Sequence, residues 1–229
     1  MCTFSLRYFF ELSLTSFIHK GKLYIHAGCP VSGRVGELHS FDLTSQTWNV
    51  LASGPEPGRG GTVVAPAVLS NAKVLLRFAG FAGYELGGDH TLDIYDIASN
   101  TWRTVTPTPD PSHGHPGQRS VHGFVGFSSP AHPTAVALLY YGELEASGVG
   151  HAGAGKHWDD VWLLHSGAGE NQDGLRWERV EVNGAAPEAR GWFPSASWTN
   201  NGGSTKVLLH GGLLSSNDRS DELWALEVS

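Results

Sequence analysis

Lys206-Val207-Leu208-Leu209-His210-Gly211-Gly212 is a short, β-rich run stopped by two glycines, and the chain repeats its plan four times. Lys22-Leu23-Tyr24-Ile25-His26 runs into Ala27-Gly28 in the same way, and two further runs end at Ala79-Gly80 and Tyr141-Gly142. A helix would need apolar residues three and four apart; compact runs closed by glycine read as strands instead. Working outward, an arginine precedes each run: Arg7, Arg59, Arg119 and Arg190. A second strand carrying an acid follows each: Leu38-His39-Ser40-Phe41-Asp42, Asp93-Ile94-Tyr95-Asp96, Asp160-Val161-Trp162-Leu163-Leu164 and Glu222-Leu223-Trp224-Ala225-Leu226. Three copies then close on Thr47-Trp48, Thr101-Trp102 and Arg176-Trp177.

The arginines are 52, 60 and 71 residues apart, a period that belongs to solenoids, propellers and arrays. Four short strands per unit make one propeller blade. The fold class is therefore all-β: one propeller domain over residues 1–229, with about four four-stranded blades in units near 7–51, 59–105, 119–180 and 190–229. A lone four-stranded sheet cannot bury both faces, whereas radial stacking gives each sheet a neighbour. An indole buries roughly 150–250 Å², worth on the order of 4–6 kcal/mol, so Trp48, Trp102 and Trp177 read as wedges between blades. The last unit stops at Leu226-Glu227-Val228-Ser229 without a tryptophan strand. Two explanations stay open: Cys2-Thr3-Phe4-Ser5-Leu6 supplies the missing strand, or the ring is an incomplete, shortened one.

These glycine pairs and fourth-strand tryptophans resemble kelch repeats. Ala27-Gly28-Cys29-Pro30, Pro57-Gly58-Arg59-Gly60-Gly61-Thr62, Arg77-Phe78-Ala79-Gly80-Phe81, Glu85-Leu86-Gly87-Gly88, Arg119-Ser120-Val121-His122-Gly123 and Arg190-Gly191-Trp192-Phe193 are similar to the nitrile-specifier and epithiospecifier branch of kelch proteins. That branch uses ferrous iron held by a Glu-x-x-x-Asp-x-x-x-His motif, with arginines at the central opening, to direct the breakdown of an unstable thiohydroximate sulfate. Here Glu143 and His151 match the first and last ligands, and Ser147 stands where the aspartate is expected. A neutral hydroxyl is a weaker donor to a hard divalent ion than a carboxylate, so the same residues also suit metal-free acid–base work, with His151 shuttling a proton and Glu143 orienting it.

Arg59, Arg119 and Arg190 occupy equivalent points, so repeat symmetry sets them on one face around the axis. Their forked donors either hold a ligand (Arg59 and Arg119 as catalytic groups, Arg190 as a binding group) or pin backbone carbonyls of the blades. Trp192 follows Arg190 near the expected funnel and reads as a stacking surface for a ligand or as core. Gly150-His151-Ala152-Gly153-Ala154-Gly155-Lys156 fits G-x-x-x-x-G-K, but His157 replaces the magnesium-holding Ser or Thr, and a strand rather than a helix follows. It is not a phosphate loop.

A net charge of −7 argues against nucleic acid or an anionic membrane as partner. Two cysteines make no disulfide framework, no run is long enough to span a bilayer, and Arg7 and Glu11 interrupt the N-terminal apolar stretch. The expectation is a cytoplasmic protein acting on a small reactive metabolite by lyase- or isomerase-type rearrangement, as a tailoring step of secondary metabolism. The alternatives are a non-catalytic propeller that docks a protein partner and a ferrous-iron-dependent specifier-like lyase.

Overall fold

A computed structural model describes residues 15–150, 153–167 and 174–228; Arg7, the Cys2–Leu6 segment and His151 lie outside them. The described residues form strands and turns with no α-helix. The first blade is the antiparallel sheet β1 (Thr15–His19), β2 (Lys22–Gly28), β3 (Val35–Asp42), β4 (Thr47–Leu51). The second is β5 (Val63–Leu69), β6 (Ala72–Phe78), β9 (Leu92–Asp96) and β10 (Thr101–Val105), with the small hairpin β7 (Gly80–Phe81) and β8 (Glu85–Leu86) between its second and third strands.

The third blade repeats this plan with β11 (Gly123–Gly126), β12 (Ala135–Tyr140), β15 (Val161–His165) and β16 (Arg176–Val180), and the hairpin β13 (Glu143–Glu145) with β14 (Lys156–His157). The fourth has three described strands, β18 (Ser195–Thr199), β19 (Thr205–His210) and β21 (Leu223–Glu227), plus the pair β17 (Arg190–Gly191) with β20 (Leu213–Leu214). This is a four-blade β-propeller arrangement, and Trp48, Trp102 and Trp177 all fall on fourth strands.

The glycine pairs are required by backbone conformation. Ala27-Gly28, Ala79-Gly80, Tyr141-Gly142 and Gly211-Gly212 each place two successive residues at positive φ, a region that a glycine enters without steric cost. At Gly142 a Cβ would lie 2.5 Å from His122 Cβ. Each such glycine also ties its blade to the next: Gly28 N–H donates to Arg59 O at 2.9 Å, Gly80 to Arg119 O at 2.8 Å, and Gly142 to Arg190 O at 2.9 Å.

Three apolar clusters fill the seams. Tyr24, Leu38, Leu75 and Tyr95 join blades one and two; Leu76, Phe78, Phe124 and Trp177 lie between two and three; Leu138, Tyr140, Val207 and Leu209 lie between three and four. No such cluster joins blade four to blade one among the described residues. The corresponding flanks are open, with Ile18 and Val50 exposed on blade one and Trp198 on blade four. Trp48 therefore sits on an uncovered flank, while Trp177 is wedged as the sequence reading expects.

Candidate functional site

Two repeated positions build the central opening. The residue two after each arginine, namely Gly61, Val121 and Trp192, adopts positive φ in every described unit. These residues link backbone to backbone around the axis: Val121 N–H donates to Gly61 O at 2.7 Å, and Trp192 N–H to Val121 O at 3.1 Å. The second source is the excursion between second and third strands of each blade, which contributes Cys29 and Arg34, Phe81, Glu143 and Ser147, and Leu213 and Arg219. Together they enclose a cavity of about 560 Å³, within the range of small-molecule sites.

Its charge is positive. Arg34 stands over Phe81 with its guanidinium carbon 5.4 Å from the ring centroid, and its Nη1 donates to Gly33 O at 2.7 Å. Arg34 Nε is buried without a hydrogen-bond partner. Arg219, held by a bridge to Leu213, enters from the opposite blade. Neither arginine has a carboxylate ion-pair partner among the described residues. Glu143 is the carboxylate of the cavity wall, buried on β13, with its backbone bridged to Ser120.

Beside this wall lies Glu85, 7% exposed, with neither carboxylate oxygen in hydrogen-bonding geometry with a partner. Burial, reinforced by the charge of Glu143, pushes its carboxyl up to about 7, although the nearby Ser120 side chain favours the charged form.

The repeated arginines face elsewhere. Arg59 donates to Ala79 O at 3.1 Å and pairs with Asp93 at 3.1 Å. Arg119 donates to Tyr141 O at 3.0 Å and grips Asp160. Arg190 donates to Gly211 O at 2.9 Å and pairs with Glu222 at 2.8 Å. Each guanidinium thus clasps the first member of its own glycine pair and the acid opening its third strand. None of the three lines the central cavity; Arg59 instead borders a lateral cavity of about 430 Å³ with Tyr84, Asp89 and Gln118.

The structure therefore brings Glu143, Ser147 and Trp192 together and adds Arg34, Arg219, Phe81 and Cys29, which sequence reasoning passed over. A usable signal existed: polar residues a few places after each glycine pair fall on the excursions that meet at the axis.

For ferrous iron, Glu143 and Ser147 supply one hard charged donor and one weak neutral one. No three of His, Cys, Asp and Glu gather as a metal-binding group among the described residues. That donor set does not fit a three-ligand iron site.

No family model matches the chain. It is similar to the N-(sulfonatooxy)prop-2-enimidothioate sulfolyase of Thlaspi arvense, 25% identical over 264 residues that cover 91% of this chain and 74% of that protein. This chain is a kelch-type β-propeller resembling the specifier branch. In this kelch-type propeller the repeat-defining arginines are scaffold, and the residues that differ from blade to blade shape the opening. No helix among the described residues is long and apolar enough to cross a membrane.

Proposed function

We propose that this protein binds a small sulfated or comparably anionic metabolite in the central cavity and cleaves or rearranges it as a lyase or isomerase, as a tailoring step of secondary metabolism in the cytoplasm. The observation that carries this reading is the pair Arg34 and Arg219, two cations without carboxylate partners, facing one cavity from opposite blades. The relative's name describes an N-sulfonatooxy thioimidate as its substrate, and the same chemistry suits this opening. When the N–O bond of such a group breaks, the electron pair leaves with oxygen and the sulfonate monoanion becomes sulfate dianion. Charge grows where the guanidinium forks stand, so they bind the departing group more tightly than the ground state.

Phe81 and Trp192 offer faces for the apolar remainder, and Glu143 is placed to accept or return a proton during rearrangement. The test is sulfate release from an N-sulfonatooxy thioimidate. Arg34→Ala and Arg219→Ala should each lower kcat/KM by about tenfold or more while leaving the melting temperature within about 2 °C. Unchanged rates in both variants would discard the reading. A second reading, a protein-docking propeller, draws on the open flanks of blades one and four; it predicts no turnover of any such ester.

A further inference from the structure

His157 stands where a phosphate loop would carry its Ser or Thr, and its position in the fold gives it a different use. It is the cross-strand partner of Glu143 in the β13–β14 hairpin, so it belongs to the excursion that carries Glu143 and Ser147 into the cavity. Its Nδ1 lies 3.0 Å from Ser215 Oγ, fifty-eight residues away on blade four. Ser215 opens the turn in which Asn217 N–H donates to Leu214 O at 2.9 Å and Leu214 N–H to Asp218 O at 3.0 Å. That turn delivers Arg219 opposite Leu213.

The imidazole also lies against Gly191, where a Cβ would come within 3.0 Å of its Cδ2 and 3.3 Å of its Nε2. Gly191 immediately precedes Trp192 of the cavity wall. Nε2 is buried without a partner, so the bond at Nδ1 is the ring's polar anchor. Burial pushes the imidazole down to about 4, and near neutral pH the ring is uncharged and free to share a proton with the Ser215 hydroxyl.

We propose that His157 is a positioning residue: its bond to Ser215 straps the Glu143 excursion of blade three to the Arg219 turn of blade four and so sets how far Arg219 stands from Arg34 across the cavity. The consequence for anion binding rests on the function proposed above; the strap itself does not.

The substitutions separate hydrogen bonding from space filling. In His157→Asn an amide group occupies the place of Nδ1 and keeps the bond to Ser215, whereas in His157→Gln it reaches toward the place of Nε2 and loses it. Ser215→Ala removes the other half. Amide hydrogen exchange of residues 213–219 should rise about three- to tenfold in His157→Gln and in Ser215→Ala, the range set by one hydrogen bond of ordinary net strength, and stay near the parent in His157→Asn. The double variant His157→Gln/Ser215→Ala should exchange no faster than either single one.

Binding of inorganic sulfate, followed by calorimetry, should weaken by a similar factor in the two bond-breaking variants and not in His157→Asn. Exchange unaltered in Ser215→Ala would overturn the strap, with no dependence on how the His157 variants fold. Raised exchange in a protein that binds no sulfate would uphold the strap and count against the anion site.

Discussion

Arg119 and Asp160 form a two-pronged ion pair, Nη1 to Oδ1 at 2.7 Å and Nη2 to Oδ2 at 3.0 Å, with side chains 0% and 5% exposed. The backbone carbonyl of the same arginine accepts Gly80 N–H from the preceding blade. One residue thus fastens two blades, by its side chain within its own and by its main chain to the neighbour. Removing one partner of a buried pair leaves the other charge uncompensated, a loss of about 3–5 kcal/mol. Arg119→Met should therefore lower the urea-unfolding free energy by about that amount. Arg190→Met should cost clearly less, because its partner Glu222 is half exposed and can be rehydrated. Equal losses at the two positions would contradict this account of the repeat.

The same clasp explains what could be read in advance. Glycine pairs, acids and tryptophans recur because each blade must turn, cap and pack in one way, so their periodicity exposed the fold. The expectation that Asp42 and Asp96 accept turn N–H groups holds: Asp42 Oδ1 takes Thr44 and Ser45, and Asp96 Oδ1 takes Ala98 and Ser99, all at 2.9 Å. Asp160, grouped with them, serves Arg119 instead. Cavity residues were harder to read for the converse reason. Arg34 and Arg219 have no counterpart in the other blades, and a residue that breaks a repeat is invisible to an argument built on repetition. Only Glu143 and Trp192 could be picked out, the first by a motif and the second by standing where the other units have Gly61 and Val121.

Two tryptophans at equivalent strand positions should differ sharply in energetic weight. Trp177 is fully buried and meets the Phe78 ring edge-on at a centroid distance of 5.4 Å, whereas Trp48 lies on the open flank of blade one, 36% exposed, against Phe41. Trp177→Ala should cost about 3–5 kcal/mol, and Trp48→Ala about 1 kcal/mol. Chemical denaturation of the two variants side by side checks this. A large loss at Trp48 would mean that its flank is covered in solution.

Acid should weaken the fold well before carboxylates protonate. Burial, with the Arg77 charge, holds His26 down to about 3; burial, with Arg119, does the same for His122; burial alone takes His157 to about 4. Their unfolded value is near 6.5, so the unfolded chain takes up protons below that pH while the folded chain does not. The stability these rings contribute is complete above pH 6.5 and is lost as pH falls toward 4. Each ring accounts for at most about 1.4 kcal/mol per pH unit, and the three together should lower the melting temperature by on the order of 10 °C between pH 6.5 and 5. His122→Leu should flatten that slope by about a third, and an unchanged slope would remove His122 from the explanation.

Glu85 runs in the opposite direction. Its folded carboxyl keeps its proton up to about 7, against an ordinary value of 4.5. Between those values the unfolded chain gains by ionising and the folded chain does not. Glu85 therefore costs nothing at pH 4.5, costs progressively more as pH rises to 7, and imposes a constant penalty above it. Glu85→Gln keeps the shape and removes the ionisation, so parent and variant should be nearly equal at pH 4.5, and the variant should be more stable at pH 8 by on the order of 2 kcal/mol. Denaturation at the two pH values decides the matter, since errors common to both proteins cancel in the difference. A variant weaker than the parent at pH 8 would mean that the carboxylate is charged and well partnered in the fold. A stabilised variant would mark Glu85 as a buried acid retained at a cost in stability beside the Glu143 wall of the cavity, the pattern expected where a carboxyl is kept for function rather than for folding.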